Sequence, residues 1–168
     1  NDAYRKDLDQ GISSERACTK QMELYGKTVG IIGPGGIGYA FARMAYGFGT
    51  HVLSYSRHKK TGEKYSFIEQ VSFEELLKRS DVISIHCPLT EETWHMINKE
   101  TIHKMKDGVI LINTARGDII DEEALCDALT SHKVYAAGLD VVSGEPRKTK
   151  SKIFYCNNAL ITRHIAWL

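Results

Sequence analysis

The stretch "TVGIIGPGGIGYAFARMA" at residues 28–45 decides the fold of this chain. It begins as an apolar run rich in Val and Ile, passes through closely spaced glycines, and continues as an Ala-rich segment. The glycines have the spacing Gly33-x-Gly35-x-x-Gly38. The pattern predicts a buried strand, a tight turn and a helix, in that order.

Each of these glycines has a predicted role. Gly33 permits the tight turn, Gly35 lets the backbone approach a pyrophosphate, and Gly38 lets the helix pack closely on the strand. Phosphates would lie at the helix N-terminus, where free N–H groups favour negative charge. A merely structural turn is the alternative, but the strand and helix around it are the context that the dinucleotide fingerprint requires. We therefore predict that the whole turn binds a cofactor: Gly33, Gly35, Gly36, Ile37 and Gly38.

Outward from this turn, apolar runs alternate with helix-like segments. Runs suited to strands covered on both faces occupy residues 51–56, 82–87, 109–115 and 134–142. The helix-like segments occupy residues 35–49, 72–80, 98–106 and 121–132, with Ser72 and Asp121 as candidate N-caps. The alternation predicts an α/β fold of three αβα layers, a Rossmann-type doubly wound parallel sheet that binds ligands beyond the carboxyl ends of its strands.

The composition narrows the classes of partner. The 22 Lys and Arg residues nearly balance the 21 Asp and Glu residues, so no overall field attracts nucleic acid or an anionic membrane. No apolar run approaches the roughly 20 residues of a membrane-spanning helix. The four cysteines are scattered without a C-x-x-C pair, so we expect no metal site, no disulfide framework and a reducing, cytoplasmic location.

The second predicted strand ends in "SYSRHKK" at residues 54–60, which bears on the choice of cofactor. An NAD-binding domain carries Asp or Glu near this point to hold the ribose 2′-hydroxyl. Ser56 lies near that position, and Arg57 beside it can pair with a 2′-phosphate. We therefore expect binding of NAD(P), with NADP(H) favoured. A solvated basic loop is the alternative.

Five ordered segments carry a family resemblance: "GKTVGIIGPGGIG", "SDVISIHCPLTEETWHMIN", "MKDGVILINTARGDIIDEEAL", "GLDVVSGEP" and "ITRHIAW". On these motifs the chain resembles the NAD-binding domain of the D-isomer-specific 2-hydroxyacid dehydrogenases. Among the branches of that family it is most similar to glycerate dehydrogenases, or hydroxypyruvate reductases. The resemblance implies hydride transfer between NAD(P)H and a small 2-keto acid such as hydroxypyruvate or glyoxylate, in a homodimer.

The resemblance also implies three catalytic residues. Arg116 in "NTARGD" would grip the substrate carboxylate with its fork of donors. His164 in "TRHIAW" would donate the proton, and Glu145 in "SGEP" would favour its imidazolium form. Further family-matched positions are expected at the cofactor: Pro88, Thr93, Thr114, Ala115 and Asp140, the last on the carboxamide, with Arg116 and His164 beside them.

The sequence departs from the family at two points. Arg163 replaces the usual proline before the histidine, which places a cation beside His164. The second departure is in domain content. We expect residues 1–26 to be a linker or a helix that leads into a cofactor-binding domain at residues 27–168. We expect that domain to be truncated at its C-terminal end and the family's separate substrate domain to be absent. Such a chain would bind cofactor but show little turnover.

Two kinds of alternative stay open. Within the enzyme class, phosphoglycerate dehydrogenase and D-lactate dehydrogenase are close rivals. Outside it, a nucleotide-sensing corepressor built on the same fold would keep the same residues without turning over a substrate.

Overall fold

Seven parallel strands form one sheet in the computed structural model, which describes residues 22–144 and 151–166. Their order across the sheet is β3-β2-β1-β4-β5-β6-β7, so the direction of winding reverses between β1 and β4. This confirms the predicted Rossmann-type sheet. The strands are β1 Thr28–Ile32, β2 His51–Tyr55, β3 Ile68–Gln70, β4 Val82–Ile85, β5 Val109–Asn113, β6 Val134–Leu139 and β7 Ala159–Ile161.

Four α-helices connect these strands within the described ranges: α1 Gly36–Gly47, α2 Phe73–Arg79, α3 Lys99–Lys104 and α4 Glu122–Thr130. The predicted caps are present. The Ser72 side chain accepts from the Glu75 amide, and the Asp121 side chain accepts from two amides of the first turn of α4. Short 3-10 helices lie at Glu63–Tyr65, Gly117–Ile119 and Lys152–Tyr155.

The sheet separates two hydrophobic clusters, because successive residues of a strand point to opposite faces. Ile31 packs in the cluster that holds Ala42 and Ala45 of α1. Its neighbour Ile32 packs in the larger cluster beneath α2, α3 and α4. These two clusters make the three αβα layers.

The two edge strands, β3 and β7, were not predicted. Each has three residues: β3 reads Ile-Glu-Gln, and β7 reads Ala-Leu-Ile, an apolar run shorter than those that predicted the other strands. Residues 1–21 of the predicted leading segment lie outside the described residues, and Met22–Gly26 form no helix or strand. Among the described residues, no helix has the length and apolar character to cross a membrane.

Candidate functional site

The glycine turn lies at the carboxyl end of β1, beside the ends of β2 and β4. Gly33 has a φ of 88°, and its N–H donates to the Tyr55 carbonyl at 2.9 Å. A Cβ on Gly33 would lie 2.8 Å from the Cys87 nitrogen, and one on Gly38 would lie 2.3 Å from the Gly33 oxygen. The start of α1 is therefore packed against the sheet more closely than any side chain allows.

The N-terminus of α1 has the properties of an anion site. Its N-cap is Gly35, no side chain caps the first turn, and that turn holds no acidic residue. A Cβ on Gly35 or Gly36 would meet no atom within 4 Å, so the backbone there is open to a ligand. Ile37 exposes 77% of its surface. Free N–H groups at the start of a 12-residue helix fit the pyrophosphate of a dinucleotide.

A cleft of about 500 Å³ adjoins this turn. The loop after β2 contributes Ser56, Arg57, His58 and Lys60 to its lining. The Ser56 hydroxyl donates to the His58 carbonyl at 2.7 Å, within the loop. His58 lies outside the sequence motifs, and the structure places it in this cleft as an exposed side chain.

Gln70, at the end of β3, holds the basic loop in place. Its side-chain nitrogen donates to the Lys60 carbonyl, and its side-chain oxygen accepts from the Lys60 amide, both at 2.6 Å. The sequence motifs did not identify Gln70, because β3 itself was not predicted. The two bonds fix the cationic loop against the edge of the sheet.

The loop that follows β4 lies between two clefts. Pro88 and Thr90 line the first cleft, whereas Leu89 lines the second. Thr93 also lines the first cleft, but its hydroxyl is engaged within the loop: it donates to the Pro88 carbonyl and accepts from the Thr90 amide, both at 2.7 Å. Thr93 therefore shapes the wall of the cleft.

His86 belongs to the first cleft and not to the second. It directly follows β4, and its Nε2 lies 2.9 Å from the Ser84 hydroxyl. Burial lowers the pKa of the His86 imidazole below its ordinary value, so the ring is neutral at pH 7. A histidine that is neutral at pH 7 is poorly suited to donate a proton.

The second cleft, of about 1040 Å³, brings Arg116 and His164 together. Both side chains are exposed, and Arg163 lines the same space. Arg116 Nη1 donates to the Ala115 carbonyl at 2.7 Å. Glu145, the third predicted catalytic residue, lies outside the described residues.

Asn113, the last residue of β5, holds the turn that presents Arg116. Its side-chain nitrogen donates to the Arg116 carbonyl at 2.9 Å, and its side-chain oxygen accepts from the Ala115 amide at 3.0 Å. Asn113 is fully buried, and Thr114 between the two contacts is exposed. A polar residue closing the apolar run "VILIN" is the sequence signal that could have identified it.

Asp140 fixes the loop that carries His164. Its buried carboxylate accepts from the Ile165 amide at 2.9 Å, the Ala166 amide at 2.7 Å and the Thr162 hydroxyl, and its carbonyl accepts from the His164 amide at 2.9 Å. Burial opposes ionisation, but these hydrogen bonds and nearby His164 hold the pKa of the Asp140 carboxyl below its usual value. The ionised carboxylate therefore anchors this loop, in which His164 has a φ of 56°.

Within residues 22–144 and 151–166, no three His, Cys, Asp or Glu side chains are arranged to hold a metal ion. The first cleft presents amides and cations to an anionic ligand, and the second presents a guanidinium and an imidazole.

Comparison with known proteins gives a consistent result. The family model described as "D-isomer specific 2-hydroxyacid dehydrogenase, NAD binding domain" matches residues 2–166. A hydroxypyruvate reductase of Blautia hydrogenotrophica is 49% identical over 146 residues, which cover 87% of this chain and 45% of the relative.

Two solved structures share the fold closely. A glyoxylate reductase from Paecilomyes thermophila has a TM-score of 0.84 at 39% identity, covering 97% of this chain and 49% of its own. An acyclic imino acid reductase in complex with NADPH and D-Arg has a TM-score of 0.86 at 32% identity, covering 98% and 52%. The chain thus spans about half the length of the relatives it matches. It belongs to the NAD-binding domain family of the D-isomer-specific 2-hydroxyacid dehydrogenases.

Proposed function

We propose that this chain is the cofactor-binding part of an oxidoreductase that transfers hydride between NAD(P)H and a small 2-keto acid. Hydroxypyruvate, with its product glycerate, and glyoxylate are the proposed substrates, as in the relatives named above. Phosphoglycerate and D-lactate are the alternatives within the family. The observation that carries the proposal is that Arg116 and His164 line one cleft, whose wall is joined through Leu89 to Pro88 and Thr90 in the wall of the cleft at the glycine turn.

The second cleft supplies the polar groups that this reduction needs. When bound, the dinucleotide supplies the hydride. Arg116 binds the substrate carboxylate with two parallel donors, which orients the keto group. His164 donates its proton to the keto oxygen as that oxygen gains negative charge. Asp140 acts on the proton donor through the backbone, as a positioning residue.

Glu145 is proposed as the partner of His164 on the basis of the family motif alone. A carboxylate beside the ring would favour the imidazolium form and fix its orientation. Arg163 is a cation in the same cleft and would oppose that effect. The proton donor is therefore proposed to work between two opposite charges.

A matched pair of histidine variants tests this mechanism in the full-length protein. His132 is exposed and has a φ of 57°, close to the 56° of His164, but it lines neither cleft. H164Q should lower kcat for hydroxypyruvate by about 10²–10⁴-fold, and H132Q should leave it unchanged. Wild-type turnover by H164Q would contradict the assignment. A wild-type protein with no turnover of any 2-keto acid, but with cofactor-dependent partner binding, would favour the corepressor alternative.

The proposed preference for NADP(H) rests on the loop after β2. Ser56 offers no carboxylate to repel a 2′-phosphate, and three cationic or titratable side chains line the same cleft: Arg57, His58 and Lys60. Titration with NADPH and NADH should give the lower Kd for NADPH. Equal or tighter binding of NADH would contradict the preference.

The exposed face of α1 supports the proposed homodimer. Ile37, Met44 and Phe48 expose 77%, 59% and 63% of their surfaces, and their spacing places them on one side of the helix. A second copy of this chain is the proposed occupant. Sedimentation should show a dimer that M44K weakens; a wild-type monomer at high concentration would contradict it.

The cytoplasmic location stays a prediction.

A further inference from the structure

Arg57, the proposed ligand of the 2′-phosphate, is engaged by a carboxylate. Its Nη1 lies 2.6 Å from the Oε2 of Glu92. Arg57 comes from the loop after β2, and Glu92 comes from the loop after β4. Both side chains line the first cleft, so the ion pair joins two segments of its wall.

A carboxylate and a phosphate compete for the same donors of a guanidinium. Each can bind the planar fork of arginine through two parallel hydrogen bonds. Glu92 already occupies Nη1, so a phosphate that takes the whole fork must displace Glu92. A 2′-phosphate that displaced Glu92 would also leave two anions close together. The uncharged 2′-hydroxyl of NAD(H) does not need to displace Glu92, because the ion pair can persist beside it. Glu92 therefore acts on the two cofactors differently.

We propose that Glu92 is a cofactor-specificity residue, which competes with the 2′-phosphate of NADP(H) for Arg57 and limits the preference for NADP(H) over NAD(H). The inference rests on the proposed function of this cleft. Ser56, His58 and Lys60 line the same space and add no second carboxylate to it. Among the described residues that line the first cleft, Glu92 is the one acid.

The exposure of the pair sets the size of the effect. The Arg57 and Glu92 side chains expose 68% and 66% of their surfaces. Exposed ion pairs are weak, so removal of the Glu92 charge should tighten NADPH binding roughly twofold to fivefold. An ion pair this weak can open when a phosphate binds, as the proposed competition for Arg57 requires.

Glu91 provides a matched control. It is the adjacent residue, it is exposed, and it does not line the first cleft. E91Q and E92Q change the net charge equally, so a difference between them reports position rather than overall charge. R57M removes the contested guanidinium while keeping much of the length of the side chain.

The experiment titrates NADPH and NADH into the 168-residue chain by nicotinamide fluorescence. We expect E92Q to lower the Kd for NADPH roughly twofold to fivefold and to change that for NADH less, whereas E91Q changes neither. In the R57M background, E92Q should no longer tighten NADPH binding. Thermal unfolding of each variant checks that the fold is kept.

Three results would overturn the inference: no response of NADPH binding to E92Q, an equal gain from E91Q, or an undiminished gain in the R57M background. These results leave cofactor binding by wild type intact. If wild type bound neither cofactor, the proposed function of the cleft would itself be wrong, and the inference would fall with it.

Discussion

Replacement of Gly38 by alanine is expected to destabilise the chain and weaken cofactor binding together. The new Cβ would lie 2.3 Å from the Gly33 oxygen and 3.2 Å from the His86 Cβ. The nearer atom belongs to the backbone, so α1 must move away from the turn that it helps to form. Overpacking of this kind costs roughly 1–3 kcal/mol. Because the clash lies at the phosphate-binding turn, the displaced helix start should also bind NADPH less tightly.

Gly47 of the same helix is the matched control, because a Cβ there would meet no atom within 4 Å. Both substitutions gain helix propensity, so their difference isolates the clash. G38A should unfold at lower urea concentration than G47A, and its Tm should be about 2–12 °C lower, given some 2–4 °C per kcal/mol for a domain of this size. Equal stability of the two variants, with unchanged NADPH affinity in G38A, would refute the close packing of α1.

Three further substitutions test how the sites are held. D140N should destabilise the chain by about 1–3 kcal/mol. Because the pKa of Asp140 is depressed in the folded state, the ionised carboxylate stabilises the fold above the ordinary pKa of 3.8, and this stabilisation is lost as pH falls through the lower folded value. Urea unfolding from pH 3 to 7 should therefore show a smaller loss of stability at acid pH in D140N than in wild type. An equal loss in both would contradict this. N113A leaves the Ala115 amide without its partner and should cost about 1–3 kcal/mol in urea unfolding; a loss below about 0.5 kcal/mol would count against the role of Asn113. Q70L frees the Lys60 loop and should weaken NADPH more than NADH in fluorescence titrations, and equal weakening would refute the clamp.

The central part of the fold is readable from sequence because its signals are local. A parallel strand buried on both faces is a continuous apolar run, and the strand predicted at the start of the stretch 28–45 is found as Thr28–Ile32. Ser72 and Asp121 cap their helices through side chains that bond only to the next few residues. The edges of the sheet lack such signals. In β3 the sequence is Ile-Glu-Gln, which exposes its middle residue and needs only one neighbouring strand.

The candidate site also contains some residues that could be identified from the sequence and others that could not. The spacing of Gly33 and Gly38 expresses a requirement of the backbone, and Arg116 and His164 stand in segments that resemble a family. Gln70 and Glu92 were not identified, because their partners are set by tertiary structure. Gln70 meets Lys60 only when β3 joins the sheet edge, and Glu92 meets Arg57 across 35 residues of chain. No pattern of neighbouring residues predicts such contacts.

The most direct test of this account is the binding of NADPH to wild type and to Gly35→Val, measured by calorimetry on the 168-residue chain. Gly35 lines the cleft at the N-terminus of α1, and a Cβ there would meet no atom within 4 Å outside its chain neighbours. We predict that wild type binds one NADPH, and that G35V stays folded but binds at least about tenfold more weakly, a loss of ~1.4 kcal/mol. Unchanged NADPH binding by a folded G35V would contradict the claim that this turn holds the cofactor.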